Sequence, residues 1–209
     1  IVRKEIAATK KKKAVERSSI DQRIDYRWID LRTDENQLMF KAQSCFVNAM
    51  RKFLLDRNFI EIHTPKLIAA ASESGSEVFK VDYFDRNAYL AQSPQFYKQM
   101  AMAAGFERIF ETGPVFRAEK SYTNKHSTEF SGFDLEFSYI TSYKDVMKME
   151  EELLTAGLQA VKDNYGDQIK EMFGQEVIVP TTPFPVVKLA DLYKGLEEDF
   201  GYVVDDSEK

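Results

Sequence analysis

Cysteine and histidine are nearly missing from this chain. A single cysteine, Cys45, among 209 residues excludes an intrachain disulfide, and two histidines leave little from which to build a metal centre. Long apolar runs are missing too: no stretch approaches the roughly 20 residues that a membrane-spanning helix needs. The first residues run from Ile1 into the lysines at 10–13, without the apolar core of a signal peptide. A cytoplasmic location without a membrane partner is the expectation. Excess positive charge is absent as well. The net charge is -5, which argues against a surface devoted to nucleic acid, and the lysine run reads as a solvated tail or loop in preference to a polyanion contact. What is present is ordinary for a folded domain: 44% apolar and 30% charged residues, in a chain long enough for a sizeable core.

Residues 1–24 are polar and basic without convincing periodicity and read as a linker, with the domain proper spanning 25–209. A strong helix signal begins at Thr33, a plausible N-cap followed by Asp34 and Glu35, where acids suit the helix dipole. Met39, Ala42, Phe46, Met50 and Phe53 recur every three or four residues, and Asn58 is a fair stop. Residues 59–63 alternate like a strand, ended by Pro65. Residues 69–77 are small and polar, hence a loop. Residues 78–84 and 88–91 read as a hairpin around Asp85, Arg86 and Asn87. Residues 94–104 are helical with Ser93 as cap, 108–119 and 128–139 are strands, and 146–164 is an amphipathic helix. Residues 186–189 form a candidate strand before a helix over 189–200. With no repeat and no βαβ rhythm, the pattern predicts an α+β domain on a largely antiparallel sheet flanked by helices.

The chemistry concentrates in residues 107–137, ERIFETGPVFRAEKSYTNKHSTEFSGFDLEF. Side chains alternate between faces of a strand, so Val115, Arg117 and Glu119 share one face. In the second strand Phe133, Leu135, Phe137 and Tyr139 make an apolar face, and Phe130, Gly132, Asp134 and Glu136 make the other. That second face has an aromatic plate, a glycine that lets another group approach the backbone, and two carboxylates. Arginine offers phosphate oxygens a planar, permanently charged fork. A carboxylate can accept from an exocyclic amine, and a phenyl ring can stack on a base. Lys120, Lys125 and His126 add a cationic lid. Such a face suits a nucleotide; an ordinary hairpin with surface ion pairs is the competing reading.

The string GPVFRAE, a short basic loop, then HSTEFSGFDLE resembles motif 2 of class II aminoacyl-tRNA synthetases, in the aspartyl enzymes of archaeal and eukaryotic type. FIEIHTPKL (59–67) resembles motif 1, whose proline, here Pro65, marks the dimer interface. AYLAQSPQFYKQM (88–100) is similar to the amino-acid-binding helix of the same group. The resemblance implies a class II catalytic domain and a homodimer formed through motif 1. It also implies activation of L-aspartate by ATP, followed by transfer to tRNA(Asp). Arg117 is then the catalytic residue, holding the α-phosphate of ATP and the carboxylate of aspartate. Ala118 adjoins the ATP, Glu119 accepts from the adenine amine, and Phe130 stacks on the ring. Lys125, His126 and Ser127 close over ATP. Gln95 and Asp134 sit near the aspartate ammonium and Lys98 pairs with its side-chain carboxylate, while Ser72 and Glu73 belong to a loop that closes over the amino acid. His63 is read as structural.

Two departures are visible. Ser74-Gly75 stands where the family usually has two glycines, and Lys120, Tyr122 and Asn124 are less usual occupants of the motif 2 loop. Motif 3, the ligands for the expected Mg2+ and the anticodon-binding barrel find no match, so no metal ligand is assignable and these residues alone are expected not to charge tRNA. Three other readings stay open: an asparaginyl enzyme or one charging both tRNAs, although QSPQ and GFDLE favour aspartate; a synthetase-like protein with related ligase chemistry; and a non-enzymatic dimerising scaffold.

Overall fold

The computed structural model describes residues 18–70, 78–119 and 126–204, with the backbone of two short antiparallel strands, β1 (Lys4–Ile6) and β2 (Ala14–Glu16). Where the sequence shows no periodicity, a helix forms nonetheless. Ser19 accepts from the Gln22 N–H at 3.2 Å and starts α1 (Ile20–Asp25), which leads into α2 (Arg27–Asp30). Elements this short display no repeat. They are fixed instead by Asp30, 2% exposed and gripped by Arg23 (Nε to Oδ1, 2.8 Å) and by Arg27. The Arg23 hydrogen bond outweighs burial and holds the Asp30 carboxyl below its usual range. The Asp30 carbonyl accepts from Thr33 Oγ1 and Asn36 Nδ2, tying this segment to the next helix.

That helix, α3 (Asp34–Leu55), starts at Thr33 as expected, with its hydroxyl accepting from the Asn36 N–H. It ends just before Asn58, which has φ 62°. The buried stripe differs from the expected one. Leu38, Met50 and Leu54 are buried, with Ala42 and Phe46 half-buried between them at four-residue steps; Met39 lies outside this stripe, 54% exposed, and Phe53 packs at the margin of the core. Against α3 lies a helix that runs well beyond residues 146–164. A capping box between Ser142 and Asp145 starts it early, and Gly174, in the left-handed region, stops it late. This is α5 (Tyr143–Phe173), separated from α3 in the chain by six strands and one further helix. Where it crosses α3, a Cβ on Gly157 would fall 2.6 Å from Phe46 Cε2 and 3.0 Å from Met50 Cγ, so only glycine fits the close approach.

The six strands after β2 form two three-stranded sheets. In one, β3 (Ile60–Glu61) runs parallel to β7 (Arg108–Phe116), which pairs antiparallel with β8 (Glu129–Phe137). In the other, β4 (Leu67–Ile68) and β5 (Lys80–Tyr83) flank β6 (Arg86–Leu90), both antiparallel. The α+β architecture with mostly antiparallel pairing is the one expected. The β5–β6 turn sits one residue earlier than anticipated, at Phe84 and Asp85, because Arg86 already pairs with Tyr83. The helix α4 (Gln95–Ala103) has Pro94 in the cap position, although Ser93 Oγ does accept from the Gln95 N–H at 3.4 Å. Near the end α6 (Leu189–Phe200) forms as expected, but residues 186–189 make no strand: Val186 is 78% exposed and has no partner strand among the described residues. Tyr139 is likewise outside β8, 86% exposed at φ 60°. The core gathers Met50, Leu54, Phe59, Phe110 and Leu153, with Phe133, Leu135 and Phe137 packed against it. No described helix is long and apolar enough to cross a membrane.

Two outcomes are expected. Gly157→Val should lower unfolding free energy by about 1–3 kcal/mol in urea titrations, the usual cost of overpacking. Asp30 has a depressed folded-state pKa, so its contribution is complete above its ordinary value of 3.8 and is lost as pH falls through the lower folded one. Asp30→Asn should therefore be less stable than the wild type at neutral pH, and the gap should narrow in acid melts.

Candidate active site

The β7–β8 ladder pairs nine positions without a slip, from Arg108 opposite Phe137 to Phe116 opposite Glu129. Directly opposed residues share a face. One face carries Phe110, Phe133, Leu135 and Phe137 into the core. The other presents Glu111 opposite Asp134, Gly113 opposite Gly132, and Val115 opposite Phe130. The Arg117 N–H donates to Thr128 O at 3.0 Å and extends the ladder one step further. The division of faces read from the sequence is the one observed over residues 130–137; only Tyr139, beyond the end of β8, falls outside it.

Arg117 closes one end of this second face. Its Nε is buried and has no hydrogen-bond partner among the described residues. The guanidinium carbon lies 5.5 Å from the centroid of the Phe130 ring, within reach of a cation–π attraction. A buried donor left unpaired costs about 1–3 kcal/mol. An anionic oxygen brought by a ligand would recover that cost and would find the exposed Phe130 ring beside it.

At the other end stands Lys98, which the family resemblance pairs with a substrate carboxylate. It is 4% exposed. Its position on α4 turns it towards β8, where Nζ is bound by Asp134 and lies 3.1 Å from Glu136 Oε2. One buried cation therefore faces two carboxylates that are each about one-third exposed, 33% and 31%. The pair leaves a local excess of negative charge open to solvent, which favours a cationic group. Gln95, one helical turn earlier, is half-buried.

Between the two ends lies a cluster with no assigned role in the sequence reading. Glu111 is 3% exposed. It accepts from the Thr64 N–H at 2.8 Å, from Thr64 Oγ1 at 2.7 Å and from Lys66 Nζ at 3.0 Å. Burial alone would push its carboxyl up, but these donors outweigh it and hold the group below the usual range. The signal that could have found it is register: a glutamate in β7 directly opposite Asp134, two like charges, requires a nearby cation. Glu136 was visible on this face, but its bond to Lys98 was not.

The remaining expected residues are distributed as follows. Ala118 and Glu119 are half-buried directly after Arg117, and His126 and Ser127 are exposed just before β8. Pro65 is exposed, between the two residues that hold Glu111, and His63 is exposed as well. Ser72, Glu73 and Lys125 lie outside the described residues. Among the described residues no three His, Cys, Asp or Glu gather as a metal site would require, and Asp134 and Glu136 are engaged by Lys98. No magnesium ligand is assignable among the described residues.

Residues 19–206 match the family described as tRNA synthetases class II (D, K and N). The chain belongs to that family. It is 48% identical over 181 residues to an aspartate–tRNA(Asp/Asn) ligase of Methanopyrus kandleri, a match covering 87% of this chain and 42% of that protein. It is 46% identical over 166 residues to the cytoplasmic aspartate–tRNA ligase of Caenorhabditis elegans, covering 79% of this chain and 31% of that one. The asparaginyl-tRNA synthetase of Pyrococcus horikoshii, solved with asparaginyl-adenylate, superposes with a TM-score of 0.82 at 33% identity, covering 92% of this chain and 44% of that structure. The aspartyl tRNA synthetase of Entamoeba histolytica gives 0.74 at 34% identity, with coverage of 97% and 38%. The chain thus spans less than half the length of these class II relatives.

If Lys98 is the cation that keeps Asp134 and Glu136 together, Lys98→Met should cost about 1–3 kcal/mol in urea titrations. Lys52→Met, which breaks the exposed pair with Asp56, should change stability by less than about 0.5 kcal/mol.

Proposed function

We propose that the polypeptide carrying these residues is a cytoplasmic aspartate–tRNA ligase that activates L-aspartate with ATP and transfers it to tRNA(Asp). The observation that carries this reading is the buried, unpartnered Nε of Arg117, set beside an exposed aromatic ring on the sheet face that also holds Lys98, Asp134 and Glu136. An anion site and an amino-acid site on one rigid ladder are what joining a carboxylate to a phosphate requires.

In the first step an oxygen of the aspartate α-carboxylate attacks the α-phosphorus of ATP. The bond to the bridging oxygen breaks and pyrophosphate leaves, giving aspartyl-adenylate. In the second, a hydroxyl of the terminal tRNA ribose attacks the aspartyl carbonyl and AMP leaves. No protein nucleophile is involved. Arg117 draws the α-phosphate and the attacking carboxylate together and offsets the charge that builds between them. Phe130 stacks on adenine, Glu119 accepts from its amine, Ala118 lies along the nucleotide, and Lys125, His126 and Ser127 close over it. Asp134 and Gln95 receive the aspartate ammonium, Lys98 faces its side-chain carboxylate, and Ser72 and Glu73 cover it. Pro65, exposed on the connection after β3, is the contact for a second subunit.

Asparagine is the second reading for the amino acid. Lys98 is already offset by two carboxylates, so by itself it discriminates weakly between a carboxylate and an amide. The likeness to an asparaginyl enzyme solved with its adenylate supports the same alternative.

ATP–pyrophosphate exchange on the native polypeptide tests both. Aspartate should support exchange at least about a hundredfold better than asparagine, and Arg117→Ala should reduce it by about a hundredfold or more. Exchange with asparagine in place of aspartate would install the second reading. Exchange with neither, from a folded protein, would leave a synthetase-like protein without this chemistry.

A further inference from the structure

The sheet face holds two lysines and three carboxylates in a row: Lys66 on Glu111, then Asp134 across the ladder, then Lys98, then Glu136. Glu111 and Asp134 are register partners, so their Cβ atoms stand about 4.5–5.5 Å apart. Lys66 reaches this row from the turn after β3. Its carbonyl accepts from the Ala91 N–H at 2.9 Å, which anchors its backbone to the second sheet. Its stem passes over Gly113, where an added Cβ would lie 3.6 Å from Lys66 Cε and 3.8 Å from Nζ. Its ammonium is held by Glu111 Oε1 and Thr64 Oγ1, each at 3.0 Å. Without the Glu111 charge, the nearest carboxylate across the ladder is Asp134.

We propose that Glu111 is a positioning residue that holds the Lys66 ammonium away from Asp134, so that the exposed part of this carboxylate, already bonded to Lys98 through Oδ1, stays open to the ammonium of the amino-acid substrate. The inference rests on the adenylation reading above. The arrangement works in two ways. It sequesters a competing cation, and it leaves the row with one net negative charge, which attracts an incoming ammonium. Neutralising Glu111 alone reverses both effects: Lys66 turns to Asp134 and the row becomes neutral. Neutralising Glu111 and Lys66 together removes the competitor and restores the net negative charge.

The test is exchange kinetics on the native polypeptide with whichever of aspartate or asparagine supports it, comparing wild type, Glu111→Gln and Glu111→Gln/Lys66→Met. The single variant should raise the KM for the amino acid about tenfold while the KM for ATP stays within about twofold. The double variant should return the amino-acid KM to within about threefold of wild type. A purely structural role would move both KM values together, and the second substitution would not restore one of them selectively; either result overturns the proposal. If the single variant does not fold, the double variant carries the test, and a tenfold rise in its amino-acid KM is the contrary outcome. A wild type without exchange removes the adenylation reading and this inference with it. An active wild type lacking the described pattern removes this inference alone.

Discussion

The pairing register of β7 and β8 is the constraint on which the rest of the molecule depends. Because side chains alternate along a strand, a slip of one residue would send Phe133, Leu135 and Phe137 to solvent and Asp134 and Glu136 into the core. The core would lose its aromatic contacts, and two carboxylates would be buried without partners. Packing against α3 and α5 therefore fixes the register, and the register places the charged row on the opposite face. Core and candidate site are two sides of one ladder.

Charged groups on that face are secured from outside the ladder. Lys98 comes from α4, and Thr64 and Lys66 come from the connection between β3 and β4. Each meets a carboxylate of the ladder, so both neighbouring elements are tied to it by ionic contacts as well as by backbone hydrogen bonds such as Phe116 N–H to Ala91 O. Arg117 differs, since its Nε is buried with no hydrogen-bond partner among the described residues. A network satisfied almost throughout, with an unsatisfied donor at one end, has the character of a site arranged ahead of its ligand.

Much of this was legible in the sequence where local physics is strong. Thr33 starts α3, Leu189–Phe200 is the last helix, and the two faces of β8 follow from simple alternation. What escaped depends on partners distant in the chain. The stripe of α3 was read through Met39, whereas the buried positions are Leu38 and Leu54, the latter clustered with Leu153 of α5. Residues 186–189 carry strand-forming side chains, yet a strand needs a neighbour and none pairs there among the described residues. The resemblance pairs Lys98 with a substrate carboxylate, but its bond to Asp134, 36 positions later, appears only once the chain is folded. Glu111 carried no role because its three donors come from Thr64 and Lys66, 47 and 45 positions earlier. The family resemblance named Arg117, Phe130 and Lys98 together; alternation alone placed Arg117 and Phe130 on faces of their own strands and left Lys98, on a helix, unplaced.

The most direct test is a crystal structure of the native polypeptide with a non-hydrolysable aspartyl-adenylate analogue. The account predicts the adenine parallel to the Phe130 ring, Arg117 Nε donating to the oxygen that replaces the α-phosphate, and the aspartyl ammonium against Asp134. An analogue bound away from the β7–β8 face, or bound there with Arg117 Nε still unpaired, would contradict it.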